Sequence, residues 1–201
     1  RKPIPVIGYQ RIDGTRFHNR EFMQREWDHV WTKTWNVGCH VSELAEPGDF
    51  RLHSLGRESL LFVHSNDGEI RGFFNVCQHR GTQIVTKPGH CDKGRFTCPW
   101  HGFQYDLTGK VRFTPMKAAF DGALIEDLRA PPVRVAEWSG FIWICLSAET
   151  PDLQTFLGDI HDEIGWFGLD RFATPYRCDF TLKANWKTVV DAFNETWHVP
   201  F

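Results

Sequence analysis

The chemistry of this 201-residue chain is concentrated in two short strings, Cys77-Gln78-His79-Arg80-Gly81 and Cys98-Pro99-Trp100-His101-Gly102. The first reads C-x-H, the second C-x-x-H, and eighteen residues separate them. Two thiols and two imidazoles in close pairs suit a tetrahedral zinc site. They also suit a two-iron, two-sulfide cluster in which the cysteines hold one iron and the histidines the other. A zinc finger groups cysteine with cysteine and histidine with histidine. Here each pair mixes the types, so each string offers one ligand to each iron. Gly81 and Gly102 permit tight loops with backbone close to sulfur. Pro99 fixes a turn, and Trp100 offers an apolar lid over the site. The pattern favours the cluster over zinc.

The other thiols and imidazoles carry no such pattern. Six cysteines in a chain of this length are too sparse for a disulfide scaffold, and no secretory signal is visible, so the reduced cytoplasm is the expected compartment. Cys145, inside the apolar run 141–146, reads as buried and inert. Cys91, in Pro88-Gly89-His90-Cys91-Asp92, reads as part of a surface turn. Cys39 and Cys178 have no partner in sequence. His18, His29, His53 and His64 read as surface or ordinary core residues. Histidines recur every eleven residues at 18, 29 and 40 and again at 79, 90 and 101, but their neighbours do not repeat. A formal charge of −2 leaves no basic footprint for nucleic acid and no polybasic membrane patch. No apolar stretch approaches a membrane span. Nine tryptophans and seventeen phenylalanines make a heavy aromatic load, which argues for a packed core.

The elements that must position the two strings are mostly short strands. Apolar residues Phe22, Met23, Trp27, Val30 and Trp31, with Asn19 placed to cap, predict a helix over residues 17–31. Strands are predicted at 35–38, 49–55, 59–64, 70–75, 95–97, 104–106, 133–138 and 141–146. Turn signals at 46–49, 66–68, 87–89 and 108–109 separate them and imply a compact antiparallel β domain. A short helix is predicted at 151–158 and a strand at 177–182. Asn185 then caps an amphipathic helix with Trp186, Val189, Val190, Phe193 and Trp197 on one face. Asp191, Asn194, Glu195 and His198 lie on the other, which by itself reads as a solvated polar surface. Pro200 ends or kinks this helix. The chain opens at Arg1 without a methionine and stops at Phe201 directly after it, so a piece of a longer protein is expected.

With these strings in view, the chain resembles the large (alpha) subunits of Rieske non-haem iron aromatic-ring-hydroxylating oxygenases. Trp35-Asn36-Val37-Gly38, the Pro47-Gly48-Asp49 turn and Phe74-Asn75-Val76-Cys77-Gln78-His79-Arg80-Gly81 all fall where that family has them. The eighteen-residue gap stands at or slightly beyond the family's upper end. The resemblance implies an α+β chain. An antiparallel β-rich Rieske [2Fe–2S] domain occupies 37–148, preceded by a helical segment, 1–36, that packs on the catalytic domain. Residues 149–201 begin that α+β, helix-grip-like catalytic domain. Cys77 and Cys98 would hold one iron of the cluster, and His79 and His101 the other.

The resemblance also implies a second metal, a mononuclear Fe(II) held by two histidines and a carboxylate. Asn185-Trp186-Lys187 through His198 looks like the start of that site. His198 matches the first iron ligand and Glu195 the acidic position three residues before it, where many relatives carry Asp. The second histidine is expected just past Phe201 and the carboxylate far beyond. Glu195 is the candidate bridge for electron transfer between the two metal sites. Asp191 is either a surface charge or an acceptor for a ligand histidine. Arg80 either lies near the cluster or is a solvated docking charge.

The implied activity is that of a terminal oxygenase component. Electrons from NAD(P)H would arrive through a reductase, with or without a ferredoxin, and O₂ would be inserted into a small aromatic or related organic substrate. A homotrimer is implied, with or without a beta subunit. Two rivals stay open at this point. A Rieske-type ferredoxin would only carry electrons, and a zinc-stabilised interaction domain would have no redox chemistry.

Overall fold

The structure, a computed structural model, describes residues 8, 11–115, 127–173 and 176–194. It divides into two compact units, Val30–Arg177 and Arg1–His29 with Cys178–Phe201. Among the described residues no helix is long and apolar enough to cross a membrane.

In the smaller unit, a 3₁₀ turn at Gly14–Phe17 leads into helix α1, Arg20–Glu26. Asn19 caps α1 as its sequence position predicts, its Oδ1 accepting from the Phe22 N–H at 2.8 Å. The predicted helix over 17–31 does not run through: after Glu26 the chain opens into a wider π turn, Trp27–Trp31. Three large aromatic or branched side chains, Trp27, Val30 and Trp31, fall in that turn.

The larger unit is built on strands β1 (Asn36–His40), β2 (Asp49–Leu55), β3 (Glu58–His64), β4 (Ile70–Phe74), β5 (Gly89–His90), β6 (Arg95–Thr97), β7 (Gln104–Asp106), β8 (Val111–Phe113), β9 (Pro132–Trp138) and β10 (Phe141–Cys145). Seven of them form one sheet in the order β1-β10-β9-β4-β3-β2-β5, and β6-β7-β8 form a second. These strands pair antiparallel, as alternating short runs between turns require. In β3, Leu60, Leu61, Phe62 and Val63 are all buried, so both faces of this strand are covered. One face joins Phe50, Leu61, Val63 and Phe73 to Phe96 and Tyr105 of the small sheet and to Phe103 in the turn between them. On β1, Gly38 is required by contact: a Cβ there would meet the Phe62 ring at 2.6 Å. The β9–β10 hairpin turns through Ser139 (φ 52°) and Gly140 (φ 79°), the left-handed pair that matches strand twist.

Strands β5 and β8 were not predicted. The two-residue Gly89–His90 has no alternation to read and lies against a turn signal; it pairs with Asp49–Phe50 of β2. Helix α2, Leu153–Leu157, is capped by Asp152 and packs Leu153 and Leu157 against Trp35 and Cys145. Cys145 is buried as predicted. Cys39 is also buried, and burial pushes its thiol up to about 12, which leaves it inert. Cys91 departs from the predicted surface turn: it is half-buried and packs against the main core.

Helix α3, Ile160–Ile164, follows α2 without having been predicted. The predicted strand at 177–182 is not one. Those described residues pair with no strand, and Phe180 and Leu182 are 81% and 62% exposed, so the apolar run lacks the neighbouring backbone a strand needs. Helix α4, Trp186–Phe193, starts at its predicted cap, with Asn185 Oδ1 accepting from the Lys187 N–H. Its burial reverses the predicted stripe: Val190 and Phe193 are exposed while Lys187 is buried. The predicted continuation to Trp197 lies outside the described residues.

Candidate metal centre

The first string leaves β4 through Asn75, a buried amide that organises the loop after it. Its Oδ1 accepts from the N–H groups of Ile84 and Val85 at 2.9 and 3.1 Å, and its Nδ2 donates to the Val85 carbonyl at 2.8 Å. The ends of the segment 75–85 are thereby drawn together. Within it, Cys77 N–H donates to the Thr82 carbonyl at 2.7 Å and Gly81 N–H to the Cys77 carbonyl at 2.8 Å.

The second string sits on the turn of the β6–β7 hairpin and repeats that pattern. Cys98 N–H donates to the Phe103 carbonyl at 2.8 Å and Gly102 N–H to the Cys98 carbonyl at 3.0 Å. Gly81 and Gly102 hold φ of +72° and +73°, the left-handed conformation that closes each loop. A Cβ at Gly81 would meet nothing within 4 Å, so conformation and not space calls for glycine there.

The loops bring like with like. Cys77 and Cys98 are each 2% exposed and lie beside one another in the core. The His79 and His101 rings meet edge to face, 4.5 Å apart at 83°. His79 is half-buried and stacks on Phe103 at 4.8 Å and 5°. His101 is exposed, with Trp100 tilted against it at 4.6 Å. Trp100 is itself 57% exposed, so it is only a partial lid. Among the described residues no three His, Cys, Asp or Glu side chains gather closely enough to hold one ion. The four divide into a thiol pair inside and an imidazole pair at the edge, a division that matches a cluster with the cysteines on one iron and the histidines on the other.

Tyr105, absent from the predicted site, belongs to it. Its Oη donates to Cys77 Sγ at 3.2 Å and accepts the Gln78 N–H at 2.9 Å. Burial raises the Cys77 thiol above its ordinary value, and the neighbouring Cys98 adds to this; the Tyr105 hydroxyl and the His79 backbone N–H oppose it. Burial likewise pushes the Tyr105 phenol up. His101 is held below its ordinary value, first by lost hydration and then by His79 and Arg80, which favours the neutral imidazole that binds metal. The donor set, the paired burial and the hydrogen bonds to sulfur all fit a [2Fe–2S] group.

The model of the Rieske [2Fe–2S] domain matches residues 34–135, half of the chain. The chain belongs to the Rieske [2Fe–2S] domain family. Its relatives are large oxygenase components. The chain is 29% identical over 194 residues to the large oxygenase component of the naphthalene 1,2-dioxygenase system of Pseudomonas aeruginosa, covering 90% of this chain and 42% of that protein. It is 31% identical over 202 residues to the alpha subunit of the N,N-dimethyl phenylurea N-demethylase of Sphingobium sp. (strain YBL2), covering 91% and 41%. Among solved structures, the quaternary ammonium Rieske monooxygenase CntA superimposes with a TM-score of 0.85 at 24% identity, over 92% of this chain and 52% of that one. That likeness speaks for the fold, an α+β chain with an antiparallel β-rich Rieske domain. The chain thus spans about 42% of the length of the curated relatives it matches.

The residues predicted for the second metal lie in the smaller unit or beyond its described part. Asp191 is exposed on α4. Glu195 and His198 lie outside the described residues.

Proposed function

We propose that this chain is the Rieske-bearing part of a terminal oxygenase component, with Cys77 and Cys98 on one iron and His79 and His101 on the other. The observation that supports this best is the division of four ligands into a buried thiol pair and an imidazole pair at the protein's edge. A [2Fe–2S] group bound there supplies one-electron transfer and no oxygen chemistry of its own. The chain's part is to bury the sulfurs, donate Tyr105 O–H and His79 N–H to Cys77, and leave the His101 ring edge open as the door for electrons. Electrons would come from NAD(P)H through a reductase, with or without a ferredoxin.

The oxygen chemistry belongs to a mononuclear Fe(II) with His198 as its first ligand and Glu195 as the carboxylate joining the two metal sites. Residues 149–201 begin that catalytic domain, 1–36 form a helical segment that packs on it, and 37–148 form the Rieske domain. Relatives named for naphthalene dioxygenation and for N-demethylation support a small aromatic or related organic substrate. A cytoplasmic homotrimer, with or without a beta subunit, completes the reading.

Iron and acid-labile sulfide counts on the complete protein test it. Three irons and two sulfides per chain, with the EPR signal of a reduced Rieske centre, are expected. Two irons with no oxygen insertion make the protein a ferredoxin, and zinc without sulfide removes the redox reading altogether. Glu195→Gln should keep all three irons yet slow electron delivery to the second site in single-turnover reduction; an unchanged rate removes Glu195 from that role.

A further inference from the structure

Three Ser or Thr side chains are buried among the described residues: Ser65, Thr114 and Ser147. Ser65 Oγ donates to the Leu107 carbonyl at 2.7 Å, and Ser147 Oγ accepts the Glu149 N–H at 3.1 Å. Thr114 differs from both. It is 3% exposed, and its Oγ1 has no hydrogen-bond partner among the described residues. Folding strips a buried hydroxyl of water, and an unmade bond leaves that cost uncompensated.

Thr114 is bracketed by the second of the two Cys-His loops. Phe113 pairs with Gln104 of β7, and Pro115 Cγ lies 3.4 Å from where a Gly102 Cβ would stand. Thr114, between Phe113 and Pro115, therefore runs alongside Phe103, between Gln104 and Gly102. Phe113 is 49% exposed, so the alternation of an extended chain turns its buried neighbour Thr114 inward. Phe103 shares one core with Cys77 and Cys98, and its ring stacks on His79. The hydroxyl is thus buried beside the candidate ligands. Neither cysteine sulfur accepts from it, although Tyr105 Oη reaches Cys77 Sγ at 3.2 Å. A [2Fe–2S] group brings acceptors of its own, its two inorganic sulfides.

We infer that Thr114 Oγ1 donates to an inorganic sulfide of the [2Fe–2S] group and raises its reduction potential. The inference rests on the proposed reading of Cys77, His79, Cys98 and His101 as the cluster's ligands. Sulfide gains charge when the cluster takes up an electron, so the bond strengthens on reduction and favours the reduced form. Tyr105 acts on a cysteine sulfur from β7, and Thr114 acts on an inorganic one from the end of β8.

The test uses the complete, cluster-loaded protein with Thr114→Val, which keeps the shape and removes the donor. Iron and sulfide counts and the visible spectrum should match wild type. The equilibrium constant for one-electron reduction, read by protein-film voltammetry, should fall about three- to tenfold, a shift of about 30–60 mV at 59 mV per tenfold. Thr114→Ser, which keeps the hydroxyl, should restore most of the potential. Electron–nuclear double resonance of the reduced cluster in H₂O and D₂O should show an exchangeable proton that Thr114→Val loses and Thr114→Ser keeps. A loaded Thr114→Val protein with the wild-type potential and the wild-type exchangeable protons overturns the inference. Should Thr114→Val not take up the cluster, Thr114→Ala, which needs less space, answers in its place: a lowered potential supports the bond and an unchanged one overturns it. A wild-type protein without acid-labile sulfide overturns the underlying reading and this inference with it; a sulfide-containing wild type whose potential the variants share overturns the Thr114 bond alone.

Discussion

From Cys77 to Thr82 and from Cys98 to Phe103 the backbone makes the same two hydrogen bonds and reaches the same left-handed glycine, yet the side chains around the two turns differ. The first turn is held from within. Tyr105 bonds its sulfur, Phe103 covers its imidazole, and Asn75 fastens its base. The second turn stands at the tip of a hairpin with His101 exposed beside Trp100. The shared backbone fixes where the candidate ligands go, and the unshared side chains decide which imidazole meets the outside. Like frames in unlike housings leave one imidazole half-buried and the other exposed.

The largest effect should be blind to that difference. On the proposed assignment Cys77→Ser and Cys98→Ser each remove one of two thiolates from the same iron, so either should abolish the Rieske visible and EPR signals in the complete protein. A variant of one loop that keeps its signal while the other loses it would break the symmetry of the frame. Next come Gly81→Ala and Gly102→Ala. A side chain at φ near +72° costs about 1–2 kcal/mol in either loop, and the two denaturation costs should agree within about 0.5 kcal/mol. A much larger loss at Gly102 would mean that Pro115, 3.4 Å from the added carbon, and not the shared backbone, sets the limit.

Tyr105→Phe should act on one side only. Losing a hydrogen bond of about 1 kcal/mol that strengthens as the sulfur gains charge lowers the one-electron potential by on the order of 40 mV. Protein-film voltammetry would detect it, and an unchanged potential would strip the first loop of its electrostatic distinction.

The smallest effect lies between the loops, where His90 Nδ1 meets Asp49 Oδ1 at 2.8 Å and joins β5 to β2. The hydrogen bond to Asp49 raises His90; Asp49, despite burial, is held low by the Glu46 N–H and by His90. The His90 contribution is full below its ordinary 6.5 and fades as pH rises through the raised value. The Asp49 contribution is full above 3.8 and fades as pH falls through the lowered one. The melting-temperature gap between wild type and His90→Gln should therefore be greatest at about pH 5 and should close by about pH 8. A gap that does not vary with pH would show the segment to be held by its backbone pairing alone.

The candidate ligands were legible in the sequence because a metal-binding pattern is written locally: each string carries its own thiol, imidazole and closing glycine. β2, β6 and β7 were legible to the residue for the same reason, since strong β formers stop at turn signals. Tyr105 was not, because it lies 28 residues from the sulfur it serves and its strand position reads as ordinary core. The burial of Lys187 was not legible, because periodicity assumes that a helix buries its apolar stripe. Here a carboxylate and three rings reverse that rule at the first turn. The strand expected at 177–182 shows the converse limit: an apolar run states a wish for burial and not the element that satisfies it.

The bond from Tyr105 to Cys77 also bears on the order in which the protein matures. A nascent chain that has released Cys77 and His79 still lacks both the opposing ligands and the hydroxyl that steadies the first sulfur. All three arrive on one later hairpin, β6–β7 with its turn. Hairpins close within microseconds once their strands are present. The full set of two thiols, two imidazoles and the Tyr105 hydroxyl is therefore assembled only when that hairpin is in place.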